Sequence, residues 1–133
     1  MVAFKQLLIV GLGGAIGSIA RYKLGGLILH HTGGWNFPVS TFTINLLGCF
    51  TIGLLAALAE HHDLFAPSIR LLLFTGLLGG FTTFSAFGYE SIFLIRRGLL
   101  QISVAYVLLS VVMSLAAVIG GIKIVDLMWP PHH

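Results

Sequence analysis

Charged residues are scarce in this sequence. Only 8% of the 133 residues are charged, whereas 57% are hydrophobic, and the mean hydropathy is +1.03. An ordinary soluble domain carries about 25% charged residues, and a compact 14.3 kDa fold exposes too much surface to stay dispersed in water with so few. The composition therefore argues against a soluble enzyme or a soluble binding module. The high hydrophobicity also excludes a disordered chain.

The sequence also has little cysteine and no long basic stretch. Cys49 is the only cysteine, so an intrachain disulfide and a cysteine-based metal framework are excluded. The longest basic stretch is Arg96-Arg97, which is too short for a groove-binding patch. We therefore assign the net charge of +3 to residues that flank membrane spans, and we predict no nucleic-acid partner.

Long apolar runs are what the sequence has in abundance. At about 20 residues per span, the chain has room for four or five membrane helices and no separate domain. Gly-Gly, Pro and charged residues divide it into four runs. We therefore predict an all-α integral membrane protein in which residues 1–133 form a single transmembrane domain. The predicted spans are residues 2–29, 39–59, 69–95 and 99–128.

Turn-forming residues and histidines mark the ends of these runs. Ser68, after a proline, is a candidate N-cap for the third run. The histidines form three adjacent pairs at run ends or at the terminus, which favours an interfacial position over a metal site. The last pair, His132-His133, is either native or the remnant of a tag.

Positive charges divide almost evenly between the two predicted sides of the membrane. Orientation depends on a bias in this distribution, and here three basic residues lie on one side and four on the other. A chain with so little bias can insert both ways, and two opposed copies can then pair about a two-fold axis in the membrane plane. The alternative is that hydrophobicity or partners select one orientation. The two sets are Lys5, Arg70 and Lys123 on the N-terminal side, and Arg21, Lys23, Arg96 and Arg97 on the other.

Glycines in the first and third runs predict close helix packing. Gly13 and Gly17, like Gly76 and Gly80, are four residues apart, a spacing that lets helices approach closely in lipid. A dinucleotide-binding G-x-G-x-x-G motif would need glycine at the position of Ile16, and a strand before it. Nucleotide binding is therefore not predicted.

Uncharged polar residues gather on one face of the second run and one face of the fourth. Asn45 either forms interhelical hydrogen bonds or serves as an amide donor in a pore, because an unpaired amide is costly inside a membrane. The hydroxyls of the fourth run line either a pathway or a helix–helix seam. The two stripes are Thr41, Asn45 and Gly48 in the second run, and Ser103, Tyr106, Ser110 and Ser114 in the fourth.

A segment in the middle of the third run disfavours a continuous helix. Residues 76–87 contain paired glycines followed by paired threonines, which are poor helix formers. We therefore predict that the third helix is broken in mid-membrane, where an ion, water or protein groups must satisfy the backbone. Phe84 and Phe87 lie three apart on one face, and the positive edges of phenyl rings can favour an anion without a formal charge.

Several charged residues lie inside the apolar runs, among them Arg21, Lys23 and Glu90. Arg21 and Lys23 each either snorkel to the headgroups or face a polar vestibule. Glu90 follows Phe87 by three residues and has three structural interpretations. It pairs with Arg21 or a lysine, it caps backbone or hydroxyl groups, or it approaches the interface. Glu90 is also the group that a proton-coupled transporter would need.

Three motifs together resemble the Fluc-type fluoride channel family, also called CrcB. They are G-G-A-I-G-S-I-A-R-Y at 13–22, S-T-F-T-I-N-L at 40–46, and G-L-L-G-G-F-T-T-F-S-A-F at 76–87. The similarity covers essentially the whole chain. The sequence departs from the family pattern at Ser40, where the family has Gly, and at Ala86, where the family has Thr between the two phenylalanines.

The resemblance implies a passive fluoride channel of the bacterial inner membrane that lowers cytoplasmic fluoride, and not an enzyme. It implies an antiparallel, dual-topology homodimer with two pores and a central structural sodium ion, held by backbone carbonyls of Gly79 and Thr82 from both subunits. The same resemblance assigns the other roles. The pore residues are Asn45, Phe84, Phe87, Thr41, Tyr106, Ser110 and Ser114; the vestibule residue is Arg21; the neighbours of the pore are Glu90, Thr83 and Ser85.

Two other classes of function compete with this one. A small proton-coupled antiporter of the drug-export type shares four helices and dual topology, but it depends on a membrane glutamate that usually lies in the first helix. The first run here contains no acidic residue. A structural or assembly protein without transport is the third class, and the polar stripes and the disfavoured helix at 76–87 argue against it.

Overall fold

Four helical segments, each long and apolar enough to cross a membrane, make up the structure, a computed structural model that describes residues 1–130. They confirm the predicted all-α architecture with four membrane-spanning helices. His132 and His133, whose origin the sequence leaves open, lie outside the described residues. The segments are Val2–Thr32 (α1), Val39–His62 (α2), Pro67–Arg96 and Leu100–Met128.

The third segment consists of two helices. The first, α3, covers residues 67–81: it starts as Pro67–Arg70, continues in π-helical geometry over Leu71–Leu78, and ends as Gly79–Phe81. The second, α4, is Phe84–Arg96, and Leu100–Met128 is therefore α5. The expectation that Ser68 caps this segment is wrong. Proline is favoured at the first helical position, so the helix already begins at Pro67 and Ser68 lies within its first turn.

Extended backbone separates α3 from α4. Thr82 has φ −84° and ψ 156°, and Thr83 has φ −147° and ψ 119°. β-branched side chains favour such extended conformations. The Thr83 hydroxyl then accepts a hydrogen bond from the Ala86 N–H (3.2 Å), which makes Thr83 the N-cap of α4. Two adjacent threonines thus end one helix and start the next.

The glycines of α1 bring it into backbone contact with α3, as the sequence predicts. A Cβ on Gly13 would lie 2.6 Å from the Leu72 carbonyl oxygen, and one on Gly17 would lie 2.9 Å from the Phe81 nitrogen. Both distances are far below a normal van der Waals contact, so only glycine fits at these positions. Close approach of this kind replaces the hydrophobic driving force that helices lack in lipid.

A second glycine contact joins α2 to α5. A Cβ on Gly53 would lie 3.1 Å from the Val118 Cα, and one on Gly121 would lie 2.8 Å from the Leu54 nitrogen. α2 contacts α5 more extensively than it contacts α1. The bundle therefore consists of two tight pairs, α1 with α3 and α2 with α5, and α4 packs on α5 beside α2.

We predict that Gly17→Ala destabilises the protein by about 1–3 kcal/mol, the usual effect of overpacking. Gly11→Ala is the matched control, because a Cβ on Gly11 meets no atom within 4 Å and alanine favours a helix. Thermal unfolding in detergent measures both effects. Equal unfolding midpoints for the two variants would contradict the assignment of Gly17 to the α1–α3 contact.

Candidate functional site

Asn45, on α2, holds the extended backbone between α3 and α4. Its Nδ2 donates to the Thr83 carbonyl (2.9 Å), and its Oδ1 accepts from the Thr83 N–H (2.8 Å). Unpaired backbone groups are not tolerated in lipid, and one amide side chain here satisfies both groups of one residue. Of the two alternatives for Asn45, the structure shows interhelical hydrogen bonding.

Two carbonyl groups beside Thr83 lose their helical partners. In a continuous helix, the carbonyls of Gly79 and Thr82 would accept from the N–H groups four residues later, those of Thr83 and Ala86. These N–H groups donate instead to Asn45 Oδ1 (2.8 Å) and Thr83 Oγ1 (3.2 Å). Both carbonyls are the ones that the sequence resemblance associates with a cation.

Glu90, on α4, accepts two hydrogen bonds from hydroxyl groups. Thr41 Oγ1 on α2 donates to its Oε1 (2.7 Å), and Tyr106 Oη on α5 donates to its Oε2 (2.8 Å). Within residues 1–130, neither Arg21 nor a lysine forms an ion pair with it. The interpretation in which Glu90 pairs with a cation is therefore wrong, and the interpretation in which it caps hydroxyls is confirmed. Three helices meet at this carboxylate.

Aromatic rings form a continuous series beside Glu90. The ring centroids of Phe84 and Phe87 are 5.4 Å apart, and those of Phe87 and Tyr106 are 5.2 Å apart. Tyr106 is fully buried, whereas the Phe84 side chain is 84% exposed. Phe37, from the loop between α1 and α2, adds a fourth ring at 5.4 Å from Tyr106, edge to face. The series runs from that loop to the protein surface.

One open cavity of about 500 Å³, which we call the polar groove, contains most of the predicted site residues. Ser110 Oγ is buried there without a hydrogen-bond partner among the described residues. The groove combines amide, hydroxyl and aromatic groups and has no charged residue in its lining. It is lined by Asn45, Gly48, Cys49, Ile52, Phe74, Leu78, Gly79, Thr82, Thr83, Phe84, Phe87, Ser110, Val111, Ser114 and Leu115.

A second cavity of about 740 Å³, which we call the vestibule, lies toward the C-terminal half of α1. Arg21 lines it, and its buried Nε has no hydrogen-bond partner among residues 1–130. Thr83 lines both cavities, so the extended segment lies between them. The lining consists of Arg21, Tyr22, Lys23, Gly25, Gly26, Leu27, Leu29, His30, Ser40, Thr41, Ile44, Thr83 and Ala86.

The predicted hydroxyl stripe of the fourth run has two different surroundings. Ser103 is buried and donates to the Ser91 carbonyl (2.7 Å), so it belongs to the α4–α5 seam. Ser110 and Ser114 line the polar groove. Ser85 remains at the surface, where its Oγ lies 3.3 Å from Thr83 Oγ1. The stripe is therefore a seam at one end and a cavity wall at the other.

The two departures from the family pattern both line the vestibule. Ser40 Oγ donates to the Gly25 carbonyl (3.1 Å) and thereby links α2 to α1. Ala86 presents only a methyl group there. Two other residues near the site were not predicted: Phe37, which contacts Tyr106, and Cys49, which lines the polar groove. The only signal for Phe37 is an aromatic residue beside a loop proline, and for Cys49 it is the position next to Gly48.

The four apolar helices and the two cavities define a small multi-pass membrane protein. The family model for CrcB-like protein, Camphor Resistance (CrcB), matches residues 8–122. The chain is 50% identical over 122 residues to the "Fluoride-specific ion channel FluC" of Methylobacillus flagellatus, covering 92% of this chain and 95% of the relative.

It is 48% identical to the protein of that name from Paracoccus denitrificans, covering 86% of this chain and 90% of the relative. The Rhizobium meliloti protein of the same name is 41% identical, with 93% and 98% covered. The chain therefore belongs to the CrcB family, as its motifs predict.

We expect Asn45→Ala to lower the stability of the fold, because it leaves the Thr83 N–H and carbonyl without partners and each such loss costs about 1–3 kcal/mol. Thr51→Val is the control on the same helix. The Thr51 hydroxyl bonds only the Leu47 carbonyl of its own helix (2.8 Å), so its loss is nearly neutral. Thermal unfolding in detergent tests the pair. An Asn45→Ala protein as stable as Thr51→Val would show that Asn45 does not support the α3–α4 junction.

Proposed function

We propose that this chain is a fluoride-specific channel through which fluoride leaves the cell passively. The observation that carries this proposal is 41–50% identity, over most of the chain, to relatives named fluoride-specific ion channels. The protein is accordingly a multi-pass bacterial membrane protein and not an enzyme. In this proposal, the polar groove and the vestibule together form the route for fluoride.

Fluoride is small and strongly hydrated, so a pore must replace its water with hydrogen-bond donors and positive edges. The polar groove offers the hydroxyls of Ser110 and Ser114 and the rings of Phe84 and Phe87. Phenyl edges are weakly positive, and conduction needs several weak sites rather than one strong site. The absence of charged residues from the groove lining suits such conduction.

The route that we propose begins in the vestibule and continues along the polar groove. Arg21 attracts anions into the vestibule, where its buried Nε is free of partners among the described residues. The anion then passes Thr83, which lines both cavities, with Ser85 beside it. Thr41 and Tyr106 contribute when one of their hydroxyls turns from Glu90 to the anion. Asn45 keeps the route open at the α3–α4 junction.

A second, antiparallel copy completes the channel in this proposal. Phe84 is 84% exposed at the mouth of the open groove, and an opposed copy would cover it. The basic residues divide three to four between the two ends of the bundle, which permits both orientations. The proposed assembly is therefore a dual-topology homodimer with two pores.

We further propose that a structural sodium ion lies between the two copies. The backbone carbonyls of Gly79 and Thr82 would hold it, because neutral oxygen groups suit a hard cation and both lack helical partners. No group of three acidic, histidine or cysteine side chains suited to a metal occurs within residues 1–130. Bound sodium supplies a fixed positive charge and satisfies the interrupted backbone.

A proton-coupled antiporter is the second candidate function, and Glu90 is the observation that favours it. This carboxyl group lies within the third membrane-spanning segment and is hydrogen-bonded by two hydroxyls. Against it, α1 contains no acidic residue, although the first helix is the usual place for the coupling glutamate. The channel and the drug-export antiporter differ in whether transport needs a proton gradient.

We expect the purified protein to release fluoride, but not chloride, from liposomes loaded with both anions. Release should occur with equal pH on both sides, with a potassium ionophore present to carry the balancing charge, because a channel lets fluoride move down its own gradient. Ion-selective electrodes measure the two anions, and liposomes without protein provide the baseline. Release that appears only with an imposed pH gradient would favour the antiporter. No fluoride release under either condition would refute the proposed channel.

We predict that Phe87→Ile lowers the fluoride flux at least about tenfold, equivalent to about 1.4 kcal/mol on the barrier. Isoleucine retains an apolar side chain but has no positive ring edge. Phe93→Ile is the matched control on α4, because the Phe93 ring stacks on Tyr89 (6.0 Å) and does not line the groove. Unchanged flux in Phe87→Ile would remove that ring from the proposed pore.

A further inference from the structure

We propose that Phe37, in the loop between α1 and α2, is a positioning residue for fluoride conduction. It acts by holding the Tyr106 side chain, and through Tyr106 it sets the positions of Glu90 and Phe87. This inference rests on the proposed channel function. It assigns a role in conduction to a loop residue that does not line the polar groove.

The loop places the Phe37 ring against two aromatic side chains. Its centroid lies 5.4 Å from that of Tyr106, at an interplanar angle of 82°, and 5.4 Å from that of Phe42, at 75°. Both are edge-to-face arrangements, which aromatic pairs prefer. The Val39 N–H donates to the Phe37 carbonyl (2.8 Å), and Pro38 restricts the Phe37 backbone. The ring is therefore fixed by its own backbone and by Phe42.

The position of the Tyr106 ring depends on Phe37, because the Tyr106 ring is completely enclosed by its neighbours. The side chain is 0% exposed, and its other aromatic neighbour is Phe87, at 5.2 Å and 57°. Removing the Phe37 ring would open a cavity on one side of Tyr106, and side chains shift toward such cavities. Because Tyr106 has few rotatable bonds, a small tilt of the ring displaces its hydroxyl.

The displacement would reach the proposed pore in two ways. The Tyr106 hydroxyl donates to Glu90 Oε2 (2.8 Å), and Thr41 donates to the other oxygen (2.7 Å). The Tyr106 ring also supports Phe87, which in turn contacts Phe84 at 5.4 Å. Tyr106 is therefore the junction between a hydrogen-bonded carboxylate and the two phenylalanines of the groove.

The first test follows fluoride flux from liposomes. Phe37→Ala should slow the flux about tenfold relative to the wild type, and Phe37→Tyr, which keeps the ring, should restore it. Trp35→Ala is the control in the same loop, because Trp35 is 67% exposed, and its flux should remain unchanged. A wild-type rate in Phe37→Ala would overturn the role in conduction.

A double-mutant cycle separates positioning from a general effect on folding. If Phe37 acts through the Tyr106 hydroxyl, then Phe37→Ala should have little further effect on flux in a Tyr106→Phe background, since coupled residues are not additive. A further tenfold loss in that background would show that Phe37 acts independently of the hydroxyl. That result would overturn the route through the hydroxyl and Glu90, and would leave only the route through the Tyr106 ring and Phe87.

A third measurement needs no fluoride conduction at all. The chain has three tyrosines, and Tyr22 and Tyr89 are 83% and 71% exposed, so incorporated 3-fluorotyrosine gives a distinct buried ¹⁹F resonance that Tyr106→Phe assigns. This resonance should shift in Phe37→Ala and stay in place in Trp35→Ala. An unmoved resonance refutes the positioning role. If the wild-type protein conducts no fluoride but the resonance still shifts in Phe37→Ala, only the proposed function is refuted.

Discussion

The two hydrogen bonds between the Asn45 side chain and the Thr83 backbone are the interaction on which the rest of the site depends. They draw the Thr83 N–H away from the Gly79 carbonyl, its partner in a continuous helix. With that bond restored, α3 and α4 could join into one helix. The carbonyls of Gly79 and Thr82 would then be covered, and Thr83 would no longer lie between the two cavities.

Glycine contacts make this interaction possible. Gly48 follows Asn45 by three residues on the same face of α2, and its missing side chain leaves space for the Thr82 methyl group. Gly13 and Gly17 hold α3 against α1 from the other side. Small residues thus determine where the extended segment lies, and the Asn45 side chain satisfies its backbone. An irregular segment in a membrane needs both: hydrogen-bond partners for its backbone and close packing against neighbouring helices.

The sequence predicts the helices and the glycine contacts well because both follow from local patterns, namely apolar runs and four-residue spacings. It does not predict the partners of Glu90. Arg21, the lysines and the hydroxyls were all possible from sequence, and only the relative rotation of α2, α4 and α5 brings Thr41 and Tyr106 to the carboxylate. Phe37 was missed for a similar reason, since its contact with Tyr106 depends on the loop conformation.

Glu90 poses the main electrostatic question in the proposed pathway, because a carboxylate repels a passing anion. The two hydroxyl donors disperse its charge. Phe87, the groove residue closest to Glu90 in sequence, belongs to the same helix and lines the groove. A hydroxyl engaged by Glu90 is unavailable to fluoride unless it rotates. Glu90 and fluoride therefore compete for the Tyr106 hydroxyl. Because Phe37 and Phe87 hold the Tyr106 ring firmly, the hydroxyl proton can change acceptor without any movement of the ring.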